Sequence, residues 1–298
     1  MNLILRWRIK LHILLLGKNG QVGWELQRTL MPLGHVIALG RNELDLCNIG
    51  ATRDIIKRIK PELIINAAAY NAVDQAEKEP EIAMAVNGIA PAVLAEEAKK
   101  LGASIIHYST DYVFDGVQES DYSEDDSPNP INIYGKTKLE GENAIRNMGI
   151  PYFIIRTSWV YGLRRDNFLL TMLGLANKKE EIDVVADQYG SPTWCRFLAE
   201  ATALLIRSEA IQEKQGIYNL SSEGRTSWYK FTKWIYKLAA VDIKVNPILS
   251  EQYPAIAARP KNSNLSNANI KQTFGIEVPH WKECLALVLE GDYLNFNL

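Results

Sequence analysis

The strongest constraint in this sequence is a regular alternation of short apolar runs with longer helix-patterned stretches over its first 160 residues. Apolar runs at Leu11–Leu16, Val36–Leu39, Leu63–Ile65, Ser104–His107 and Phe153–Ile155 have the length and continuity of strands buried on both faces. Helical patterns at about Val22–Leu30, Ala51–Ile59, Glu81–Leu101 and Tyr134–Asn147 separate them. Pro80 near the start of the third helix and Gly102 just past its end fit the usual asymmetry of helix termini. Strands that alternate with helices must lie parallel, because each crossover returns the chain to the same edge. The pattern therefore predicts an α/β fold, a Rossmann-type doubly wound parallel sheet. Ligands in such folds bind at the carboxyl ends of the strands.

After residue 160 the pattern loosens. Helices near Asn167–Ala176, Phe197–Ile206 and Ser227–Leu238 are separated by short apolar pieces, Ile182–Val185 and Ile217–Leu220. A smaller C-terminal substrate-binding domain is expected over residues 161–298. Residues 11–160 would form the nucleotide-binding domain, with elements from about 180–222 returning to it. Residues 1–10 would precede the fold, as a basic arm or as the product of an upstream start. The 298 residues and 47% hydrophobic content suffice for a sizeable core. A net charge of −2 shows no basic footprint for nucleic acid. The three cysteines form no CxxC and no paired framework, which suits a reducing, cytoplasmic setting. The run from Ile13 to Leu16 is too short for a secretion signal, and no apolar segment approaches the ~20 residues of a membrane span.

Gly17, Gly20 and Gly23 give G-x-x-G-x-x-G between the first strand and the first helix. Glycines there allow a tight turn, the approach of a pyrophosphate, and close helix–strand packing. An acid at the end of the second strand would bind the ribose hydroxyls of NADH. This chain has Gly40 and Arg41 instead, which favours the 2′-phosphate of NADPH while leaving NADH possible. Asp45 and Leu46 could flank the adenine, and the small residues Ala67, Ala68 and Ala69 could leave room for cofactor. Plain turn, surface and packing roles are the alternatives for each.

Tyr134 and Lys138 stand four apart on one helical face. An ammonium near a phenol favours the phenolate, and would bring a pKa of ~10 toward working pH. Ser109, Thr110 and Asp111 leave the fourth strand, where a hydroxyl can hold a carbonyl oxygen as hydride arrives.

Seven stretches carry a family resemblance: "GKNGQVGWELQ", "NAAAYNAVDQAE", "HYSTDYVFDG", "IYGKTKLEGE", "RTSWVYG", "DQYGSPT" and "ARPKNSNL". Together they resemble the extended short-chain dehydrogenase/reductase superfamily, and within it the dTDP-4-dehydrorhamnose reductase family. The resemblance implies reduction of a 4-keto nucleotide sugar by NADPH, or sometimes NADH. It implies Tyr134 as proton donor, Lys138 as its partner and ribose ligand, and Thr110 as binder of the C4 oxygen. Gly20, Gln21 and Val22 match its pyrophosphate loop. Asp45, Leu46 and Ala67–Ala69 match other cofactor contacts. Asp111 and Trp159 match sugar contacts. Arg259 would face the diphosphate, and "DQYGSPT" would share that cleft. Some members bind Mg²⁺ between glutamates at a dimer contact. Here Glu25 matches one, but Arg196 stands at another, so no metal is expected and a monomer or a different homodimer remains open. The rival readings are another nucleotide-sugar reductase or epimerase, and a non-catalytic NADP-binding regulatory subunit of S-adenosylmethionine synthetase.

Overall fold

The computed structural model describes residues 11–208 and 211–290. The proposed arm at residues 1–10 lies outside them. The chain runs β1 (Leu11–Leu16), α1 (Gln21–Thr29), β2 (Gly34–Leu39), α2 (Ile49–Ile59) and β3 (Leu63–Asn66). A helical stretch follows, Pro80–Met84, a π turn at Ala85–Ile89, and α3 (Ala90–Leu101). Then come β4 (Ser104–Thr110), α4 (Ile133–Asn147) and β5 (Tyr152–Thr157). The single helix expected over Glu81–Leu101 is thus interrupted. The π turn brings Asn87 inward, where its amide accepts from the Tyr70 N–H at 2.8 Å and donates to the Tyr70 carbonyl at 2.9 Å. Such insertions mark sites where one side chain must be re-aimed.

Beyond β5 lie α5 (Phe168–Ala176), β6 (Glu181–Val185), α6 (Cys195–Arg207), β7 (Gly216–Asn219), α7 (Trp228–Leu238), β8 (Lys244–Ile248) and α8 (Trp281–Leu289). The main sheet is parallel in the order β7-β5-β4-β3-β1-β2. The chain steps from β1 outward to β2, then crosses back to β3 on the other side. That reversal opens a crevice at the carboxyl ends of β1 and β3, as doubly wound sheets require.

β1, β3, β4 and β5 run almost wholly buried because both sheet faces are covered there, whereas β2, expected to be buried on both faces, lies at the sheet edge and is only half-buried. One face packs Ile13, Leu15, Ile65, Ile106, Phe153 and Ile155 against α1 and α6. The other packs Leu14, Leu16, Ile64, Ile105 and Ile154 against α2, α3 and α4. A separate core joins Leu169, Leu173, Ile182, Phe231, Trp281 and Leu285 from α5, β6, α7 and α8. Here β6 and β8 pair parallel, apart from the main sheet. Among the described residues no helix is long and apolar enough to cross a membrane.

Candidate active site

A cleft of about 770 Å³ opens along the carboxyl rim of the sheet, from the end of β2 past β1 and β3 to β4 and β5. At its centre is the glycine turn. Gly17 adopts φ +84°, and a Cβ there would sit 2.7 Å from the backbone of Ala67 and Ala68. Only glycine lets β1 turn this tightly against the end of β3. Gly20 then caps α1, and no side chain among the described residues caps its first turn. Gly20, Gln21 and Val22 of that first turn line the cleft, the arrangement that suits a pyrophosphate. Gln21 Oε1 and Thr157 Oγ1 are buried and meet no hydrogen-bond partner among the described residues. Both residues line the cleft, where a polar ligand could satisfy them. The amide nitrogen of Gln21 donates to the Val160 carbonyl at 3.2 Å and ties the loop to the exit of β5.

At the far end of the cleft, Gly40, Arg41, Leu44, Asp45 and Leu46 form the wall. Arg41 is 80% exposed and touches Asp45 only at 3.6 Å. A surface pair of that length holds the guanidinium weakly, so it can swing onto a phosphate. A feature missed by sequence reasoning is Glu43. Its carboxylate accepts from the Gly40 N–H at 2.9 Å and from Lys18 Nζ at 2.5 Å. An acid thus returns to the end of β2 from three residues downstream, but neutralised by a lysine. The donors, the cradle and the cations fit an adenine dinucleotide with an added phosphate.

At the other end stand Thr110, Asp111, Tyr134, Lys138, Trp159 and Trp228, all lining the cleft. The sequence spacing alone puts Tyr134 and Lys138 on one face of α4. The fold brings that face against the end of β4. Asn132 caps α4 by accepting from the Gly135 N–H at 2.7 Å. Gly141 lets α4 lie against the π turn, since a Cβ there would meet the Asn87 carbonyl oxygen at 2.2 Å. Below the site, Glu142 grips Arg156 of β5 through two bonds of 2.9 and 2.7 Å, and accepts from the Ser109 hydroxyl at 2.5 Å. All three are buried. Helical spacing could have found Glu142, four residues beyond Lys138. A lone arginine in the apolar strand "YFIIRT" could have found its partner.

The Thr110 hydroxyl donates to Asp111 at 3.0 Å and accepts from the Tyr112 N–H at 3.2 Å. Burial raises the Tyr134 phenol to about 12, with a Thr110 hydrogen bond pulling it down and the Asp111 charge pushing it up. This corrects the expectation that Lys138 brings the phenol toward neutrality. Burial dominates, Lys138 is not among the groups that shift the phenol, and its Nζ donates to the Tyr108 carbonyl at 2.5 Å. Burial also lowers Lys138 to about 8, against the opposing pull of Glu142. A phenol held protonated is still a competent proton donor, and the lysine and threonine beside it can steady the phenolate it leaves.

Trp159 takes φ +46° and stacks on Trp228 with ring centroids 3.4 Å apart. Trp228 was not legible in the sequence, because nothing local distinguishes it from the other aromatics of α7. The Arg259 guanidinium, expected to face the diphosphate, donates to Asp74 through both of its terminal nitrogens, at 3.1 and 2.7 Å, and stands outside the residues lining the cleft. Of "DQYGSPT", Tyr189 pairs with Ser227 and Gly190 abuts the Trp159 ring, so the segment supports the tryptophan from behind. Glu25 and Arg196 meet as an ion pair at 3.3 Å.

An open parallel sheet with a glycine-turned crevice and a Tyr–Lys helix at its rim defines an extended short-chain dehydrogenase/reductase fold. Within it, the chain belongs to the family described as the RmlD substrate binding domain, which matches residues 11–293. It is 44% identical over 289 residues to the dTDP-4-dehydrorhamnose reductase of Burkholderia thailandensis, covering 92% of this chain and 97% of that one. It is 41% identical over 283 residues to the enzyme of the same name from Escherichia coli K12, covering 91% and 95%. A solved dTDP-4-dehydrorhamnose reductase from Bacillus anthracis in complex with NADP superposes with TM-score 0.87 at 37% identity, covering 94% and 98%. A Thermus thermophilus UDP-glucose 4-epimerase complexed with NAD gives TM-score 0.81 at 18% identity, a likeness of fold alone.

Proposed function

We propose that this protein is an NADPH-dependent reductase that converts dTDP-4-dehydro-β-L-rhamnose to dTDP-β-L-rhamnose, the last step in making that activated sugar. The observation that carries the reading is the convergence of Tyr134, Lys138 and Thr110 on one end of a cleft whose other end carries Gly40 and Arg41. The relatives named for this reaction, and the NADP held by one of them, support the substrate and the cofactor. NADPH, when bound, supplies the hydride. The loop from Gly17 through Gly23 would hold the pyrophosphate, Asp45 and Leu46 the adenosine, and Ala67–Ala69 the middle of the cofactor. Thr110 would hold the C4 oxygen, and Tyr134 would pass its proton to that oxygen as it becomes an alkoxide. Lys138 would steady the resulting phenolate. Asp111 and Trp159 would contact the sugar. That Tyr134, Lys138 and Thr110 all line the cleft supports a catalytic role over a purely regulatory one. We place the reaction in the cytoplasm, with no metal.

The test is oxidation of NADPH by the 4-keto sugar nucleotide, followed by the nicotinamide absorbance. Tyr134→Phe should cut kcat by about 10²–10⁴-fold while NADPH still binds. A variant that keeps full rate would remove Tyr134 from the chemistry.

A further inference from the structure

Behind Lys138 lies a buried titratable group that the reaction above does not use. His107 of β4 is fully buried, as is Asn66 at the end of β3. The Asn66 side-chain oxygen accepts from the Ala68 N–H at 3.2 Å. Its NH2 therefore faces His107 Nδ1, at 3.1 Å. Turning the amide over would set that NH2 against the Ala68 N–H, donor to donor. Lys138 Nζ stands 3.2 Å from His107 Nε2 on the opposite side of the ring. With Nδ1 accepting from Asn66, a neutral ring carries its proton on Nε2, pointed at the lysine. That proton suits a lysine in its amine form, which can accept it, and opposes an ammonium.

We propose that His107, oriented by Asn66, is a positioning residue that presents its Nε2–H to Lys138 Nζ and so favours the amine form of the lysine. The other groups around the lysine divide. Glu142, four residues along α4, favours the ammonium but is largely spent on Arg156 of β5. The Tyr108 carbonyl accepts one of its protons, and Tyr134 and Asp111 lie toward the cleft. The imidazole itself stays neutral, because burial and then the lysine charge hold its pKa well below the ordinary range.

The inference rests on the reading of Lys138 as part of the reductase site, but its first test needs no turnover. In the ¹⁵N-histidine spectrum of the whole protein, His107 is assigned by its loss in His107→Phe. It should show a protonated Nε2 and a bare Nδ1 at neutral pH. A proton on Nδ1, or on both nitrogens, overturns the proposal. The second test is the pH profile of kcat/KM. Asn66→Asp offers Nδ1 an acceptor, moves the ring proton there, and leaves Nε2 to accept from the ammonium. The basic limb, expected near pH 8 in the unaltered protein, should move up by about one unit. In Asn66→Asp combined with His107→Phe that shift should vanish. An equal shift in both variants would assign it to the aspartate charge alone and sink the proposal. Should the aspartate variants fail to fold, the nitrogen spectrum decides alone. Absence of reductase activity alongside the expected spectrum would fault the assigned reaction and not the tautomer.

Discussion

At the scale of single residues, burial decides the electrostatics of this site. Tyr134, Lys138, His107 and Asp111 each sit where the charged form is disfavoured. Asp111 is the sharpest case for stability. Burial raises its carboxyl to about 7, with hydrogen bonds to Ser263 and Thr110 opposing. The unfolded chain releases that proton near 4, so between about pH 4 and 7 the folded state holds more protons than the unfolded state. Stability contributed by this group is full at low pH, falls as pH rises through that window, and is flat above it. Asp111→Asn should therefore raise the melting temperature by a few degrees at pH 8, with the gain fading toward pH 4. Calorimetry across that range checks the sign; a gain that grows toward low pH would refute it. Tyr134 and Lys138 were legible in the sequence because four-residue spacing on a helix is a local property. Their pKa values were not, because burial belongs to the assembled fold.

At the scale of elements, α4 is the part whose seating matters most. Its cap at Asn132 closes its first turn, and its close approach at Gly141 and its ion pair at Glu142 fix it against the π turn and β5. Gly141→Ala would drive a Cβ to 2.2 Å from the Asn87 carbonyl oxygen, so the helix or the π turn must shift. The expected cost is about 1–3 kcal/mol, with a fall in kcat because Tyr134 and Lys138 move with the helix. Denaturant unfolding alongside the NADPH assay measures both. A variant with wild-type stability and rate would show that the contact relaxes without consequence. The helix itself was readable from its pattern. The π turn that Gly141 packs on was not, since both of its flanks, Pro80–Met84 and Ala90–Leu101, are themselves helical and no local signal separates them.

At the scale of the whole molecule, the cleft joins a cofactor end and a reacting end that are far apart in sequence, from Gly17 to Trp228. A ligand that binds only the folded state raises its stability by about 2.7 kcal/mol at a concentration of 100 Kd. NADPH should therefore raise the melting temperature more than NADH at equal concentration. Arg41→Ala should shrink that difference by weakening NADPH alone. Thermal shifts with both cofactors test this, and equal losses for both would place Arg41 outside the 2′-phosphate site. Lys18 and Glu43 bear on the same discrimination, and only the folded loop brings them to Gly40. What the chain specified by itself was local: the strand–helix alternation, the glycine turn and the Tyr–Lys face. Periodicity and turn chemistry act over a few residues, so they can be read there. What only the tertiary structure decided was pairing at a distance: Arg259 on Asp74, Trp159 on Trp228, Arg156 on Glu142, and His107 between Asn66 and Lys138. Each of those depends on which polar or aromatic group from a distant part of the chain comes within reach, and that choice is made by packing.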